Sequence, residues 1–355
     1  MDKFKIDSHK LNYHIPVLNN WLNNKIIYPI YIEVSPSGTC NHRCTFCALD
    51  FMEYQKRYLD LNVFDKCVLE MSNLGIKSIM FAGEGEPLLH KNISDMVIRT
   101  KNSGIDVALT TNGVLLNQSL SEKILSHIEW IKISINAGTK KTYSKIHQAK
   151  ESDFEKVLSN IESAVKIKRQ KGYSCIIGMQ MILLPENQNE VITLTQQAKD
   201  LNVDYLVIKP YSHHHLSKTN VYKQLLYNDY YHILEQLEVF DSEDFNVVFR
   251  VDTMKKWDKK EKRYKKCLAL PFWSYIDSGG NVWGCSAYLQ DEYFRYGNIN
   301  KNSFQTIWEG EKRLNSLKWV DNELNIEQCR TNCRMDNVNK FLWDLKHPPQ
   351  HVNFI

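Results

Sequence analysis

Cysteine is the residue type whose spacing says most in this chain. Nine cysteines stand at positions 40, 44, 47, 67, 175, 267, 285, 329 and 333. Three crowd into Cys40-Asn-His-Arg-Cys44-Thr-Phe-Cys47. Cys267, Cys285, Cys329 and Cys333 fall in the last hundred residues, and Cys67 and Cys175 stand alone. An odd count in a 355-residue chain without an export signal argues against a disulfide framework, whereas clustered thiols in a reducing compartment more often hold metal. Two metal centres are expected. Three thiolates converging from one loop suit an iron–sulfur cluster, which normally takes four cysteine ligands. With only three, one iron stays open to an exogenous molecule, the same logic that separates catalytic from structural zinc. Zinc with His42 as fourth ligand competes, but His42 lies inside the loop between two cysteines, a cramped position. For the four later thiols, count alone does not separate a fully ligated cluster from a structural zinc ribbon.

Such thiols need a rigid frame. Short apolar runs at 28–34, 78–82, 106–111, 130–135, 175–184 and 205–209 alternate with amphipathic stretches such as 64–74, 93–99 and 154–168. Near-continuous apolar strands between helices imply a parallel sheet covered by helices. Six such units predict an α/β fold, a partial (β/α)6 TIM-like barrel, with a doubly wound sheet as the alternative that periodicity leaves open. Beyond residue 212 the pattern predicts a helix over 219–240 and a strand over 245–251. A hairpin is expected over 272–287, turning at Ser278-Gly279-Gly280-Asn281, and helices over 303–318 and 335–346. The expected division is an extension (1–27), the barrel (28–212), a helical and basic linker (213–266) and a smaller α+β cluster domain containing the hairpin (267–355).

Cys-x3-Cys-x2-Cys with Phe46 before the last cysteine, at the end of the first strand of a β/α series, resembles the radical S-adenosylmethionine (SAM) superfamily. Gly83-Glu84-Gly85-Glu86-Pro87 at the end of the second strand resembles that family's glycine–glutamate motif, with Glu84 departing from the commoner Gly-Gly-Glu-Pro form. Thr111-Asn112-Gly113 and Ser134-Ile135-Asn136 end the third and fourth strands. The resemblance implies that Cys40, Cys44 and Cys47 hold a 4Fe–4S cluster whose open iron chelates S-adenosyl-L-methionine. One electron, from a reducing partner such as flavodoxin or ferredoxin, then gives a 5′-deoxyadenosyl radical that takes hydrogen from substrate. In that frame Glu86 accepts hydrogen bonds from the SAM ammonium. Gly83 and Gly85 admit close backbone approach, and Phe46 offers adenine an apolar face. Asn112 joins the cofactor-binding set, and Ser134 and Asn136 either bond the ribose or cap the next helix.

The later cysteines resemble the SPASM/twitch extension of radical SAM enzymes. The full SPASM pattern uses seven cysteines for two auxiliary clusters, so four imply the shorter twitch form with a second, fully ligated auxiliary 4Fe–4S cluster. A cluster with no open iron implies electron transfer and favours net oxidation.

Substrate-facing candidates come from the last strands. Val207, Lys209 and Tyr211 share a face by alternation, and a lysine in an apolar strand needs a partner, a cavity or an escape to the strand end. Lys209 is expected to bind an anion or act as base, and Gln180 is the polar exception in the fifth strand. Adjacent residues cannot all face one site, so His213-His214-His215 is read as a loop rather than a metal centre. Cys67 is read as packing. If Gln180 points inward, Cys175 points outward; otherwise Cys175 is a candidate hydrogen-atom donor.

The resemblance to twitch-type dehydrogenases implies a radical SAM oxidoreductase acting on a small polar molecule: a sugar, aminocyclitol or nucleotide-sugar. A ribosomal-peptide maturase, a radical epimerase and a zinc-binding module are the alternatives. About 27 residues before the first strand are too few for a folded leader-binding domain, which weighs against the maturase. With 43% apolar and 24% charged residues the chain is neither disordered nor fibrous. No run approaches the ~18 apolar residues of a membrane span. A net charge of +4 is too weak to argue for nucleic acid. The first thirty residues lack a signal-peptide core, so a cytoplasmic protein is expected. Residues 255–266 hold eight Lys/Arg and two acids, read as a solvated face with docking of an anionic group or acidic redox partner as the alternative.

Overall fold

The computed structural model describes residues 4–6 and 8–354. Ten strands form one sheet: β1 (Tyr31–Val34), β2 (Ser78–Phe81), β3 (Asp106–Thr111), β4 (Trp130–Ser134), β5 (Ile176–Ile182), β6 (Tyr205–Lys209), β7 (Asn246–Phe249), β8 (Trp273–Ile276), β9 (Asn281–Trp283) and β10 (Arg295–Asn298). The order is β10-β9-β8-β1-β2-β3-β4-β5-β6-β7, parallel from β8 through β1 to β7, with antiparallel β9 and β10 at one edge.

Alternation along each strand sorts the side chains. Ile32, Val34, Ile79, Phe81, Leu109, Ile131, Ile133, Met179, Ile208 and their neighbours face the helices in one large core. Tyr31, Met80, Ala108 and Trp130, and Ile176, Tyr205, Val207 and Val248, face the concave side. Helices cover the outer side because their sequences give them one apolar stripe. The helix Leu61–Asn73 is capped by Asp60, whose carboxylate accepts from Asn62 N (2.9 Å) and Val63 N (3.0 Å). It buries Phe64, Cys67, Val68 and Met71 at helical spacing. Cys67 and Cys175 both lie in this helix-facing core.

Three expectations are corrected. The parallel run has eight strands rather than six, because β7, placed in the linker, pairs with β6, and β8 pairs with β1. The hairpin is joined to the barrel through backbone pairing of β8 with β1. The helix over 219–240 is replaced by turns and the short helix Ile233–Leu237. The cause of this last difference is Tyr227, fully buried, whose hydroxyl donates to Leu183 O (2.9 Å) and accepts from Tyr211 N (2.6 Å). Anchoring that side chain in the core overrides local helix propensity. The helix over 303–318 divides at Gly310 into Phe304–Glu309 and Glu311–Asn322, and Asp336–Lys346 forms as expected.

The segment before the barrel is built in. The helix Ile15–Leu22 packs Leu18 against Phe272 and Leu342, and Phe4 and Ile6 pack against the concave apolar layer. The basic segment is not simply solvated: Lys256 pairs with Asp336, and Lys262 donates to Cys329 O (3.0 Å) and Ile326 O. No helix among the described residues is long and apolar enough to cross a membrane.

Tyr227→Phe strands one buried donor and one buried acceptor. It should cost about 1–3 kcal/mol, read as a lower denaturation midpoint; an unmoved midpoint would remove this anchor from the account.

Candidate metal and cofactor site

The motif residues gather at the C-terminal ends of the parallel strands, where loops of a β/α barrel build active sites. The cysteine loop leaves β1 and is pinned on several sides. Arg43 N donates to His147 O (3.1 Å) and Thr45 N to Ile146 O (2.9 Å), seating the loop on the end of the helix Lys140–His147. Asn112 Nδ2 donates to Asn41 Oδ1 (2.7 Å), and the guanidinium of Arg43 lies over the ring of Tyr54 at 4.0 Å.

The glycine–glutamate motif packs on the same loop. A Cβ at Gly85 would stand 2.4 Å from both Ser37 O and Thr39 O, so only glycine lets the two backbones meet. Gly83 adopts φ +116 with Ser35 at equally close approach. Glu86 is 2% exposed, and its carboxylate accepts from Thr111 Oγ1 (2.6 Å), Asn112 N (2.8 Å) and Leu88 N (3.0 Å). It joins the ends of β2 and β3 and leaves about one lone-pair direction for a ligand. Glu84 accepts from Arg57 (3.1 Å) and from the backbone (3.0 Å) and hydroxyl of Ser278, tying the end of β2 to the turn between β8 and β9.

The thiols sit where a cluster would be held. Burial pushes Cys40 up to about 12 and Cys44 well above its ordinary value, and the nearby Cys47 raises both. Three thiols that shun negative charge in one another's company suit a cationic centre that shares it. His42 N lies 3.5 Å from Cys40 Sγ, a backbone donor of the kind that sets cluster potentials. His42 is not too cramped to approach the loop: its ring, that of His147 and Cys44 Sγ bring their ligand atoms within 4.8 Å of one another. His147 places Nδ1 3.3 Å from Cys44 Sγ and Nε2 2.8 Å from Ile135 O, and burial holds its pKa down at about 3. Phe46 lies edge-on to that ring at 5.6 Å.

Cys267, Cys285, Cys329 and Cys333 line one pocket, with Tyr264, Tyr288 and Arg330 in its wall. Backbone N–H groups approach two of the sulfurs, Ala287 N to Cys285 (3.4 Å) and Met335 N to Cys333 (3.4 Å), and Tyr288 Oη lies 2.9 Å from Cys329 Sγ. Burial and the other three thiols hold Cys285 well above its ordinary value. Four sulfurs around one enclosed, mostly apolar space fit a fully ligated cluster.

The remaining candidates divide. Gln180 shares the concave face and donates to Ser134 Oγ (3.2 Å), so both line the interior. Lys209 lies on that face too, pushed well below its ordinary value by burial and by Lys132, Arg250, Arg334 and Arg330. Tyr211 does not continue this face. The strand ends at Lys209, Pro210 carries no N–H, and the Tyr211 ring turns into the outer core against Tyr222 and Trp257. Asn136 is 0% exposed. Its Oδ1 accepts from Ile182 N (2.6 Å) and its Nδ2 lies 3.3 Å from His147, so its amide is committed within the fold rather than open to a ribose. The three histidines do not converge on one centre: His213 faces Tyr211, while the His214 ring lies between Phe51 and His215, stacked on His215 at 4.6 Å, and His215 faces Tyr288. Sequence reasoning missed Glu33, Lys132, Arg330 and Arg334. The signal was there for Lys132, a lysine at an alternating position of an apolar strand, and for the arginines, each directly following a cysteine.

The fold and the cysteine loop define a radical SAM protein. The radical SAM superfamily model matches residues 34–198, and the SPASM model, an iron–sulfur cluster-binding domain, matches residues 267–334. This chain is a radical SAM enzyme with a C-terminal SPASM-type iron–sulfur domain. Its cofactors are S-adenosylmethionine with a 4Fe–4S cluster, and an auxiliary cluster. It is 27% identical over 195 residues to a GTP 3′,8-cyclase of Chlorobaculum tepidum, covering 53% of this chain and 56% of that protein. It is 30% identical over 142 residues to a GTP 3′,8-cyclase of Clostridium botulinum, covering 39% and 44%. The chain thus spans about half the length of the curated relatives it matches. Among solved structures, Streptococcus suis SuiB bound to S-adenosylmethionine has a TM-score of 0.66 at 17% identity, covering 84% of this chain and 70% of that one. Native anSMEcpe with bound AdoMet has a TM-score of 0.60 at 20% identity, covering 82% and 84%. Both are likenesses of fold.

Replacing Cys40, Cys44 and Cys47 together by Ala should lower the anaerobic iron content from about eight to about four per chain and abolish release of 5′-deoxyadenosine. Complete loss of iron would show that the two thiol groups do not load independently.

Proposed function

We propose that this enzyme removes hydrogen from a hydroxyl-bearing carbon of a small polar molecule held inside the barrel, with net loss of two hydrogen atoms. In this reading Cys40, Cys44 and Cys47 hold the cluster that binds S-adenosylmethionine, and Cys267, Cys285, Cys329 and Cys333 hold the auxiliary one. When bound, the first cluster and its nucleotide, given an electron by a donor of the flavodoxin or ferredoxin type, would supply the carbon radical that takes one hydrogen atom, and the second hydrogen would leave as a proton to a base such as Lys209 and an electron to the auxiliary cluster.

The protein's part is placement. Gly85 and Asn112 fix the cysteine loop, and Glu86 keeps one acceptor direction for an ammonium. Phe46 and His147 shield the loop from water. Ser134 and Gln180 offer polar groups to a substrate, and Lys209 offers an amine. The observation that carries the reading is the position of Arg330. It lines the pocket of Cys267, Cys285, Cys329 and Cys333, and it donates to Ser212 O (3.1 Å) on the loop whose Ser217 bonds Cys47 O (3.3 Å). One side chain therefore stands between the two thiol groups, and a small molecule beside it would meet both. Four thiols around the second pocket leave no ligand position open, which favours net oxidation over rearrangement.

Cys175 lies buried in the helix-facing core, away from this interior, which counts against an epimerase that would use it as hydrogen donor. The curated relatives are named for a nucleotide, consistent with a small-molecule substrate. SuiB has also been solved bound to its precursor peptide SuiA, but the likeness of this chain to SuiB is one of fold alone.

Anaerobic turnover of candidate sugars and nucleotide-sugars, scored by mass, tests the reading. A product lighter by two hydrogens is expected, and a product of unchanged mass would overturn net oxidation. Lys209→Ala should lower the product formed per 5′-deoxyadenosine released by about 10–100-fold, the usual effect of losing a hydrogen bond to a charged group; an unchanged ratio would remove Lys209 from the site.

A further inference from the structure

The inside of a β/α barrel is ordinarily filled by apolar side chains. Here the first layer is apolar, and the next is not. Glu33 lies two residues beyond Tyr31 on β1, Lys132 two beyond Trp130 on β4, and Lys209 two beyond Val207 on β6, so all three stand on the concave face. Two arginines reach the same place from the cysteine-rich segment. Arg334 bonds the Glu33 carboxylate and the Tyr31 hydroxyl (2.7 Å), and Arg330 donates to Ser212 O (3.1 Å) while its Nε is buried without a partner.

The charges do not balance. Lys132, Lys209 and Arg334 gather around one bonded carboxylate, Glu33, while Arg330, which borders the four thiols of the second pocket, shares its charge with them. The ammonium groups of Lys209 and Lys132 make no hydrogen bond or ion pair among the described residues, and that of Lys132 lies over the face of Trp130, 5.2 Å from the ring centre. Crowding lowers Lys132 to about 8, after the larger effect of burial, yet arginines do not shed their protons, so positive charge remains even when both lysines are neutral. Solvent reaches this face: Arg334 keeps 42% of its side chain exposed although it bonds two interior groups. Two unpaired ammonium groups crowded by guanidinium groups destabilise one another until an anion enters.

Resting on the reading that substrate enters this interior, we propose that the substrate carries a phosphate or pyrophosphate ester, gripped by Lys132 and Lys209 of the barrel and by Arg330 and Arg334 of the cysteine-rich segment. A single carboxylate would leave part of the excess unmatched, whereas a phosphoryl group brings roughly two negative charges and three acceptor oxygens. Guanidinium forks match that geometry. The anchor adjoins Cys47 through Arg330 and the loop that it bonds, so a molecule held by its phosphate presents its other end to the cysteine loop.

The test titrates pyrophosphate, inorganic phosphate and malonate into the anaerobically reconstituted full chain by calorimetry, with 5′-deoxyadenosine release measured on the same preparation. Saturable pyrophosphate binding, tighter than malonate, is expected. It should weaken about 10–100-fold in Lys132→Gln and in Lys209→Gln. It should be largely retained in Lys132→Arg and unaltered in the surface pair Lys259→Gln/Lys265→Gln. No saturable binding, equal affinity for malonate, or loss of affinity in the surface pair rather than the interior variants would overturn the proposal. Pyrophosphate binding without any release of 5′-deoxyadenosine would uphold the anion site while removing the functional reading on which it was placed. Release without pyrophosphate binding would overturn the anion site alone.

Discussion

The place where a Cβ of residue 85 would stand is taken by the backbone of the cysteine loop. Ser37 and Thr39 press their carbonyls against Gly85, and Glu86 N closes the contact by donating to Thr39 O (2.8 Å). This approach sets the height of the loop above the strand ends and so the position of all three of its thiols. Other restraints follow from it. Glu86 ties β2 to β3, Asn112 ties β3 back to Asn41, and His147 meets Cys44 from the far side. The loop is held largely by backbone groups, Glu86 N to Thr39 O and Thr45 N to Ile146 O among them.

A second constraint joins the two halves of the molecule. Backbone pairing of β8 with β1 makes the hairpin part of the barrel's own sheet, and Glu84 reinforces the joint by gathering Arg57 and Ser278. The residue that departs from the commoner motif thus has a structural use: its buried carboxylate is held by donors from the cysteine-rich half. With the hairpin anchored, the segment carrying Cys329 and Cys333 can lean over the barrel, and Arg334 closes onto Glu33. Charge that would be expensive to bury singly is tolerated because it faces an open interior.

Much of this is legible in the residues. The Cys-x3-Cys-x2-Cys loop, the strand–helix alternation and the motif at each strand end are local patterns, and local patterns survive in one dimension. The helix expected over 219–240 does not form because Tyr227 is held by partners far along the chain, Leu183 O and Tyr211 N. Tyr211 leaves the face that alternation predicts because alternation holds only while the strand lasts, and the strand stops one residue before Pro210. Asn136 resembles a ligand-binding residue in its motif but spends its amide on Ile182 and His147, contacts that spacing does not reveal.

Residue order alone proposed the chemistry's donor set, since thiols three and four apart on one loop lie within reach of a common centre. It also settled the layered α/β frame, because hydrophobic period follows directly from backbone geometry. Which charges share the interior was decided by folding. Glu33 and Arg334 are separated by most of the sequence and meet only because β8 docks beside β1. Electrostatic fields depend on distance in space, and no reading of neighbours along a chain supplies that distance.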